Sequence, residues 1–376
     1  MRQLPNIIIP GKTIGIIGGG QLGRMMALAA KQMGYSVGVL YPKKNCPAAQ
    51  VADWQIVARC NDEEALMDFA MKCDVITYEF ENVDASKIEA LNKTVAVPQG
   101  SELLSIAQDR ILEKAYLEMN NINLAPYATI VTLEDIETAT NSIGFPCVLK
   151  TIRDEYEEKG QVFLYGEEDI PKCEELVKTG TCVLEAWIPF ERELSIVISR
   201  NAAGDTSVFP TAEIIHRKNV LKETIVPARV SEEVSQEVER ISKAIAEGLD
   251  VVGTLGIELV LTASGALYVS ELVSRPHSSA NYSMDACSTS QFETHIRAIC
   301  GWPLPEITLL SKAVSVTILG EQLDGAEQQI QLKPSWHFHY YGKKEADKGR
   351  VMGHITILTK DIDKTIENID DTGIWI

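Results

Sequence analysis

A short apolar strand that runs into a cluster of glycines and then straight into a helix constrains this chain more than any other feature. Thr13-Ile14-Gly15-Ile16-Ile17 leads into Gly18-Gly19-Gly20-Gln21-Leu22-Gly23. Arg24-Met25-Met26-Ala27-Leu28-Ala29-Ala30-Lys31-Gln32-Met33 follows, a run of strong helix formers stopped by Gly34. Ser36-Val37-Gly38-Val39-Leu40 reads as a second strand, 62–71 as a helix, and Asp74-Val75-Ile76-Thr77-Tyr78 as a third strand. Alternating strands and helices with short joints predict a parallel sheet covered on both faces.

After Pro98-Gln99-Gly100 the pattern changes. Two helices are expected over 101–119, then a strand–helix–strand run that includes Pro146-Cys147-Val148-Leu149-Lys150. Longer strands are expected at 182–186, 194–199, 256–261 and 266–272, which suits a mostly antiparallel sheet with helices on one side. From about Pro305 a small tail offers strands near 313–319, 337–341 and 353–358. The fold class is therefore α/β followed by α+β, in three segments: 1–103, 104–304 and 305–376. At 376 residues the chain is long enough for such a division.

Charge narrows the choice of partners. With 35 basic and 53 acidic side chains the formal net charge is −18, which argues against nucleic acid or an anionic membrane surface. A small phosphorylated substrate needs only a few local cations and stays allowed. Apolar runs fall short of the roughly 20 residues of a membrane span, and the opening Met1-Arg2-Gln3-Leu4-Pro5 lacks a signal-peptide build. A cytoplasmic location is expected. The eight cysteines stand singly, with no CxxC pair, and are expected to be reduced core thiols rather than disulfides or zinc ligands.

Four groups of residues carry chemical signals. Gly18-x-Gly20-x-x-Gly23 lets backbone approach a phosphate at a helix N-terminus, or else marks a tight turn. A dinucleotide site also wants an acid after the second strand, and Tyr41 stands there instead. Thr77-Tyr78-Glu79-Phe80-Glu81-Asn82 places carboxylates past the end of the third strand, where open α/β sheets bind ligands; taken alone it reads best as a solvated strand end. Glu258 and Glu271 lie on strands joined by Thr262-Ala263-Ser264-Gly265, so a hairpin can put both carboxylates on one face, a donor set for Mg²⁺. Directly behind them, Arg275 offers a planar donor fork and His277 a tunable proton site.

In this order the motifs resemble the ATP-grasp superfamily and, within it, the family of N5-carboxyaminoimidazole ribonucleotide synthases of purine biosynthesis. The likeness runs from about residue 13 to 354 and rests on 18–23, 77–81, Gln108-Asp109-Arg110, 270–277, Ser290-Gln291-Phe292-Glu293, Tyr341-Gly342-Lys343, Gly349-Arg350 and Met352-Gly353-His354. It implies an N-terminal Rossmann-like pre-ATP-grasp domain, a central ATP-grasp domain and a small β-rich C-terminal domain. It also implies an ADP-forming ligase that carboxylates 5-aminoimidazole ribonucleotide with bicarbonate through carboxyphosphate.

Site roles follow from the resemblance, residue by residue. ATP would be bound by Arg110, Lys150, Lys159, Gly160, Gln161, the hinge Glu185-Ala186-Trp187-Ile188, Glu193, His216, Ser270 and Glu271. Glu258 and Glu271 would hold Mg²⁺ or, in its place, Mn²⁺. Arg275, His277 and Tyr156 would be catalytic. Gln21, Leu22, Glu79, Lys343 and Arg350 would bind the ribonucleotide, the last two by its 5′-phosphate. The family precedent is a homodimer. Where the family carries loop glycines this chain has Asp154, Glu155 and Glu158, and where it carries Asn-Ser-Gly-His this chain has Ser278-Ser279-Ala280-Asn281. Two related readings stay open at this point: a homologue that binds ribonucleotide but handles ATP poorly, and a formate-dependent glycinamide ribonucleotide transformylase.

Overall fold

The computed structural model describes residues 7–153, 160–217 and 220–375. Its contacts divide the chain into two units. The first gathers the described residues of Met1–Leu103, Leu194–Ile257 and Val273–Ile376, and the second those of Leu104–Glu193 and Glu258–Leu272.

The first unit holds a four-stranded parallel sheet in the order Trp54–Ile56, Ser36–Leu40, Thr13–Ile17, Val75–Tyr78. The three strands expected from sequence are present. Trp54–Ile56 was not anticipated, because three half-buried residues are too few to show a period. The first helix spans Gln21–Gln32, so it starts within the glycine cluster rather than after it. A distant segment completes the layer: Phe292, Ile296 and Ile299 of helix Gln291–Ile299 join Ile14, Ile16, Met25, Met26, Val37 and Val39 in one core.

Part of a nine-stranded sheet also lies in this unit, running Arg192–Arg200, Ala212–Arg217, Val220–Val226, Lys312–Leu319, Val351–Thr359, Trp336–Tyr340, with antiparallel pairing from Ala212–Arg217 onward. The tail strands expected from sequence are all here, but they do not form a layer of their own. Val316, Ser315 and Val314 pair with Glu223, Thr224 and Ile225, and Ile225 shares a core with Val314, Val316, Ile318, Ile355 and Trp375. Polar residues hid the two inner strands from the sequence reading. Glu213 is buried yet satisfied by Arg229, whose Nε and Nη2 donate to its carboxylate at 3.0 and 2.7 Å.

The second unit is built on the antiparallel sheet Tyr127–Ile130, Cys182–Ala186, Cys147–Thr151, Gln161–Leu164. Helix Leu133–Ile143 covers it, opened by a capping box in which Thr132 and Asp135 satisfy each other's backbone N–H groups. Cys147, Cys173 and Cys182 sit in its core beside Leu149, Leu164 and Leu184 as free thiols, as expected of this chain's cysteines. Helix Arg110–Met119 begins at Asp109, whose side chain accepts from the N–H groups of Ile111 and Leu112. The Thr262–Ala266 turn closes the expected hairpin between Gly253–Leu261 and Leu267–Val273. Among the described residues no helix is long and apolar enough to cross a membrane.

Trp375 is fully buried next to the chain's end, and its Nε1 donates to Thr317 O at 2.8 Å. Trp375→Ala should therefore lower unfolding stability by about 3–5 kcal/mol, read as an earlier midpoint in guanidinium. An unchanged midpoint would mean the tail is not part of this core.

Candidate functional site

The glycine cluster is filled by the chain itself. Glu79 follows the strand Val75–Tyr78 and is buried, with its two carboxylate oxygens accepting from the backbone N–H groups of Gly20 and Gly23. A Cβ at Gly18, where φ is +131°, would collide with Glu79 Cγ, and one at Gly23 would lie 2.8 Å from Glu79 Oε2. The glycines thus admit a carboxylate at the helix N-terminus, in the place where a phosphate was expected. This removes the dinucleotide reading, and it corrects the reading of 77–82 as a solvated strand end.

Charges converge on that carboxylate. Burial pushes the Glu79 pKa up, opposed by the Gly20 and Gly23 hydrogen bonds and by the charges of Arg275 and Lys343. Lys343 donates to Val351 O at 2.6 Å, and its pKa is lowered to about 8, first by burial and then by Arg350. Arg350 lies 3.2 Å from Glu345 Oε2 and 3.6 Å from Asp347 Oδ2. Gln21 and Leu22 open the helix between the two glycine donors. The Leu22 side chain belongs to the core, so its backbone is what it can offer a ligand.

Arg275 stands with its Nε 3.7 Å from Glu81 Oε1. His277 is held down to a pKa of about 3, first by burial and then by the charges of Arg275 and His216, so the imidazole is neutral at physiological pH. Its Nδ1 is 2.7 Å from Ser279 Oγ, and a Cβ at Gly256 would come within 2.8 Å of its Cβ, which fixes the ring's root. The first unit therefore brings together Gln21, Leu22, Glu79, His216, Arg275, His277, Lys343 and Arg350.

In the second unit Glu185, expected at the adenine hinge, is the centre of a buried ion triad. Lys114 Nζ lies 3.1 Å from its Oε1 and Lys150 Nζ 3.0 Å from its Oε2. Burial pushes the Glu185 pKa up, but Lys150, Lys114 and Arg110 outweigh it and hold the carboxyl below its usual range. Three cations around one carboxylate leave a surplus of positive charge, which suits phosphates. Lys114 was missed; its signal was the four-residue step from Arg110 along one helix.

The hinge itself is partly engaged. Ala186 N–H donates to Pro126 O at 2.9 Å and Trp187 N–H to Pro146 O at 3.0 Å. The exposed Trp187 ring stands edge-on to Phe163 and near Phe190, with centroids 5.4 and 6.1 Å away. Ile188 and Glu193 are half-buried. Gly160 O accepts from Thr151 N, and Gln161 pairs with Lys150 in the sheet register. Tyr156 and Lys159, and the acids Asp154, Glu155 and Glu158, lie outside the described residues.

On the hairpin, Glu258 and Glu271 are half-buried and Ser270 is exposed. A further carboxyl, missed from sequence, backs them: buried Glu113 accepts from Leu272 N–H at 2.6 Å, and burial followed by the Glu271 charge raises its pKa to about 8. Among the described residues no cluster of three or more His, Cys, Asp or Glu is placed to hold a metal. Two hard carboxylates with crowded negative charge fit Mg²⁺, which takes few protein ligands and completes its shell with phosphate and water.

Comparison with known proteins agrees with this layout. The model of the ATP-grasp domain matches residues 115–292, that of the ribonucleotide synthetase preATP-grasp domain 11–108, and that of the phosphoribosylaminoimidazole carboxylase C-terminal domain 313–368. Fold and site together define an ATP-grasp protein. The N5-carboxyaminoimidazole ribonucleotide synthase of Bacillus subtilis is 44% identical over 370 residues, 98% of this chain and 97% of the relative. A solved N5-carboxyaminoimidazole ribonucleotide synthetase in its ADP complex is 48% identical, with a TM-score of 0.96 over 99% of this chain and 98% of that one. The Aspergillus clavatus synthase, solved with ADP and 5-aminoimidazole ribonucleotide, is 27% identical with a TM-score of 0.90, covering 97% and 98%. The chain belongs to the N5-carboxyaminoimidazole ribonucleotide synthase family.

Glu185→Gln strands the buried Lys114 ammonium and should cost about 3–5 kcal/mol of stability, read as a lower melting temperature. Adding Lys114→Met removes the stranded charge and should restore part of the loss. A double variant no more stable than the single one would contradict the triad.

Proposed function

We propose that this protein is an ADP-forming carbon–nitrogen ligase that carboxylates 5-aminoimidazole ribonucleotide with bicarbonate to N5-carboxyaminoimidazole ribonucleotide in purine biosynthesis. The observation that carries the reading is the joint placement of Glu79, Arg275, Lys343 and Arg350 at the C-terminal end of the parallel sheet. One ligand end meets a buried carboxylate and the other meets two cations, which matches an amine at one end and a phosphate at the other.

Chemistry assigns the remaining groups. A bicarbonate oxygen attacks the γ-phosphorus of ATP, releasing ADP and forming carboxyphosphate. The ribonucleotide's exocyclic amine then attacks the carboxyl carbon, phosphate departs, and the amine gives up a proton. Arg110, Lys114 and Lys150 stabilise the charge of the nucleotide phosphates, and the Trp187 ring with its aromatic neighbours offers the adenine an apolar wall. Arg275 holds the carboxylate of bicarbonate and of carboxyphosphate. His277, neutral, hydrogen-bonds there without adding charge, and Glu79 accepts from the amine. Glu258 and Glu271 would hold Mg²⁺, which neutralises charge on the transferring phosphoryl group when bound. On the family precedent we also infer a homodimer.

ADP release, followed by a coupled assay, should require both the aminoimidazole ribonucleotide and bicarbonate for its full rate; release indifferent to both would overturn the reading. Glu258→Gln or Glu271→Gln should reduce turnover by about 100-fold or more and abolish the Mg²⁺ dependence of ATP affinity measured calorimetrically. Equal ATP affinity with and without Mg²⁺ in the parent would remove the metal assignment.

Lys343 gives a pH signature with a definite sign. Its pKa is lowered to about 8, so it is a cation below that pH and neutral above it. The KM for the ribonucleotide should rise as pH passes from 7 to 9, and Lys343→Arg, charged throughout, should flatten the rise. A parent KM indifferent to pH would contradict the assignment of Lys343 to the phosphate.

A further inference from the structure

A buried line of side-chain hydrogen bonds runs from the loop carrying Arg275 and His277 to the strand end carrying Lys343. It starts at Gln291, fully buried at the head of helix Gln291–Ile299. Gln291 clamps the His277 backbone from both sides, its Oε1 accepting from His277 N–H at 2.9 Å and its Nε2 donating to His277 O at 2.7 Å. The same Nε2 lies 3.2 Å from Asn281 Oδ1. Asn281 Nδ2 donates in turn to Tyr341 Oη at 3.2 Å, and Tyr341 Oη is 2.8 Å from His354 Nδ1.

The line is anchored at a neutral ring. His354 has its pKa depressed to about 3, first by burial and then by His339, so it is neutral. Tyr341 Oη accepts from Asn281 and shares one hydrogen bond with His354 Nδ1, whose direction follows the tautomer of the ring. His354 is braced by a stack on His339, with centroids 4.5 Å apart and planes 12° apart, and His339 Nε2 is 2.8 Å from Asp285 Oδ2. The contacts therefore run unbroken from the His277 loop to the second sheet. Tyr341 and Asn281 are 3% and 4% exposed, so neither polar group gains anything from solvent. Packing alone would be served as well by Phe and Leu, and a buried polar pair costs stability unless its bonds are made.

We propose that Asn281 and Tyr341 are positioning residues for the carboxylation step, an inference that rests on the function proposed above. Through Gly342, Tyr341 sets where Lys343 holds the 5′-phosphate; through Gln291, Asn281 sets where His277 stands. Together they hold the amine of the bound ribonucleotide at attacking distance from the carboxyl carbon. Loss of the bridge leaves phosphoryl transfer intact but lets carboxyphosphate escape capture. Water then takes the place of the amine, and carboxyphosphate returns to bicarbonate and inorganic phosphate with ADP already released.

The test compares Tyr341→Phe and Asn281→Leu with the parent, measuring ADP released, N5-carboxyaminoimidazole ribonucleotide formed and the KM values for ATP and ribonucleotide. Ser242→Ala serves as a control; it removes a buried hydroxyl that donates to Glu239 O at 2.8 Å on helix Glu232–Gly248, which carries no member of this line. Tyr341→Phe should lower carboxylation about 10-fold, raise the ratio of ADP to product well above one and leave the KM for ATP unchanged. The control should melt earlier with its ratio intact. If Asn281→Leu does not fold, Tyr341→Phe decides alone. A ratio that stays at one in Tyr341→Phe, or ADP release that falls in step with carboxylation, overturns the positioning role. A parent that releases no ribonucleotide-dependent ADP overturns the proposed function itself, and this inference with it.

Discussion

Glu79 sits with both carboxylate oxygens on the N–H groups of Gly20 and Gly23, and the arrangement of charges at this end of the first sheet depends on that seat. A helix N-terminus carries unsatisfied donors and a partial positive charge, and something anionic settles there. In many strand–glycine–helix units that anion is a phosphate brought by the ligand. Here it is a side chain, so the donors are occupied before any ligand arrives. A phosphate has to find its charge elsewhere, and Lys343 and Arg350 stand close enough to influence this cluster.

The second unit uses the same device with the signs rearranged. Glu185 holds Lys114 and Lys150 in place, and Arg110 is close enough to act on the same carboxylate. Without the acid the ammonium groups would repel one another in a poorly hydrated setting; with it they form a cationic surface of fixed geometry. Glu113 adds an acidic counterpart beside Glu271, where crowding of negative charge favours a divalent cation. In each unit a buried carboxylate organises the charges around it.

Much of this was legible in the sequence, and the exceptions have physical reasons. Thr13–Ile17, Ser36–Leu40 and Val75–Tyr78 are apolar on both faces and announce a buried parallel sheet. Ala212–Arg217 and Val220–Val226 are central yet carry Glu213, His216, Lys222 and Glu223, and the partner of buried Glu213, Arg229, lies sixteen residues away. Binary patterning sees only an interruption there. The order of motifs named Glu79, Glu185, Arg275 and Lys343, whereas Glu113 and Lys114 went unnoticed because acid and base on a helix ordinarily read as a solvated face. No sequence rule separates a glycine loop that waits for a phosphate from one filled by its own carboxylate. That distinction needs the third dimension.

The most direct test is a crystal structure of the protein with ADP, Mg²⁺ and 5-aminoimidazole ribonucleotide. The expected map places the ribonucleotide phosphate against Lys343 and Arg350, with Glu79 still seated on Gly20 and Gly23 and facing the amine. A phosphate lying on the Gly20 and Gly23 N–H groups, with Glu79 displaced, would contradict the account.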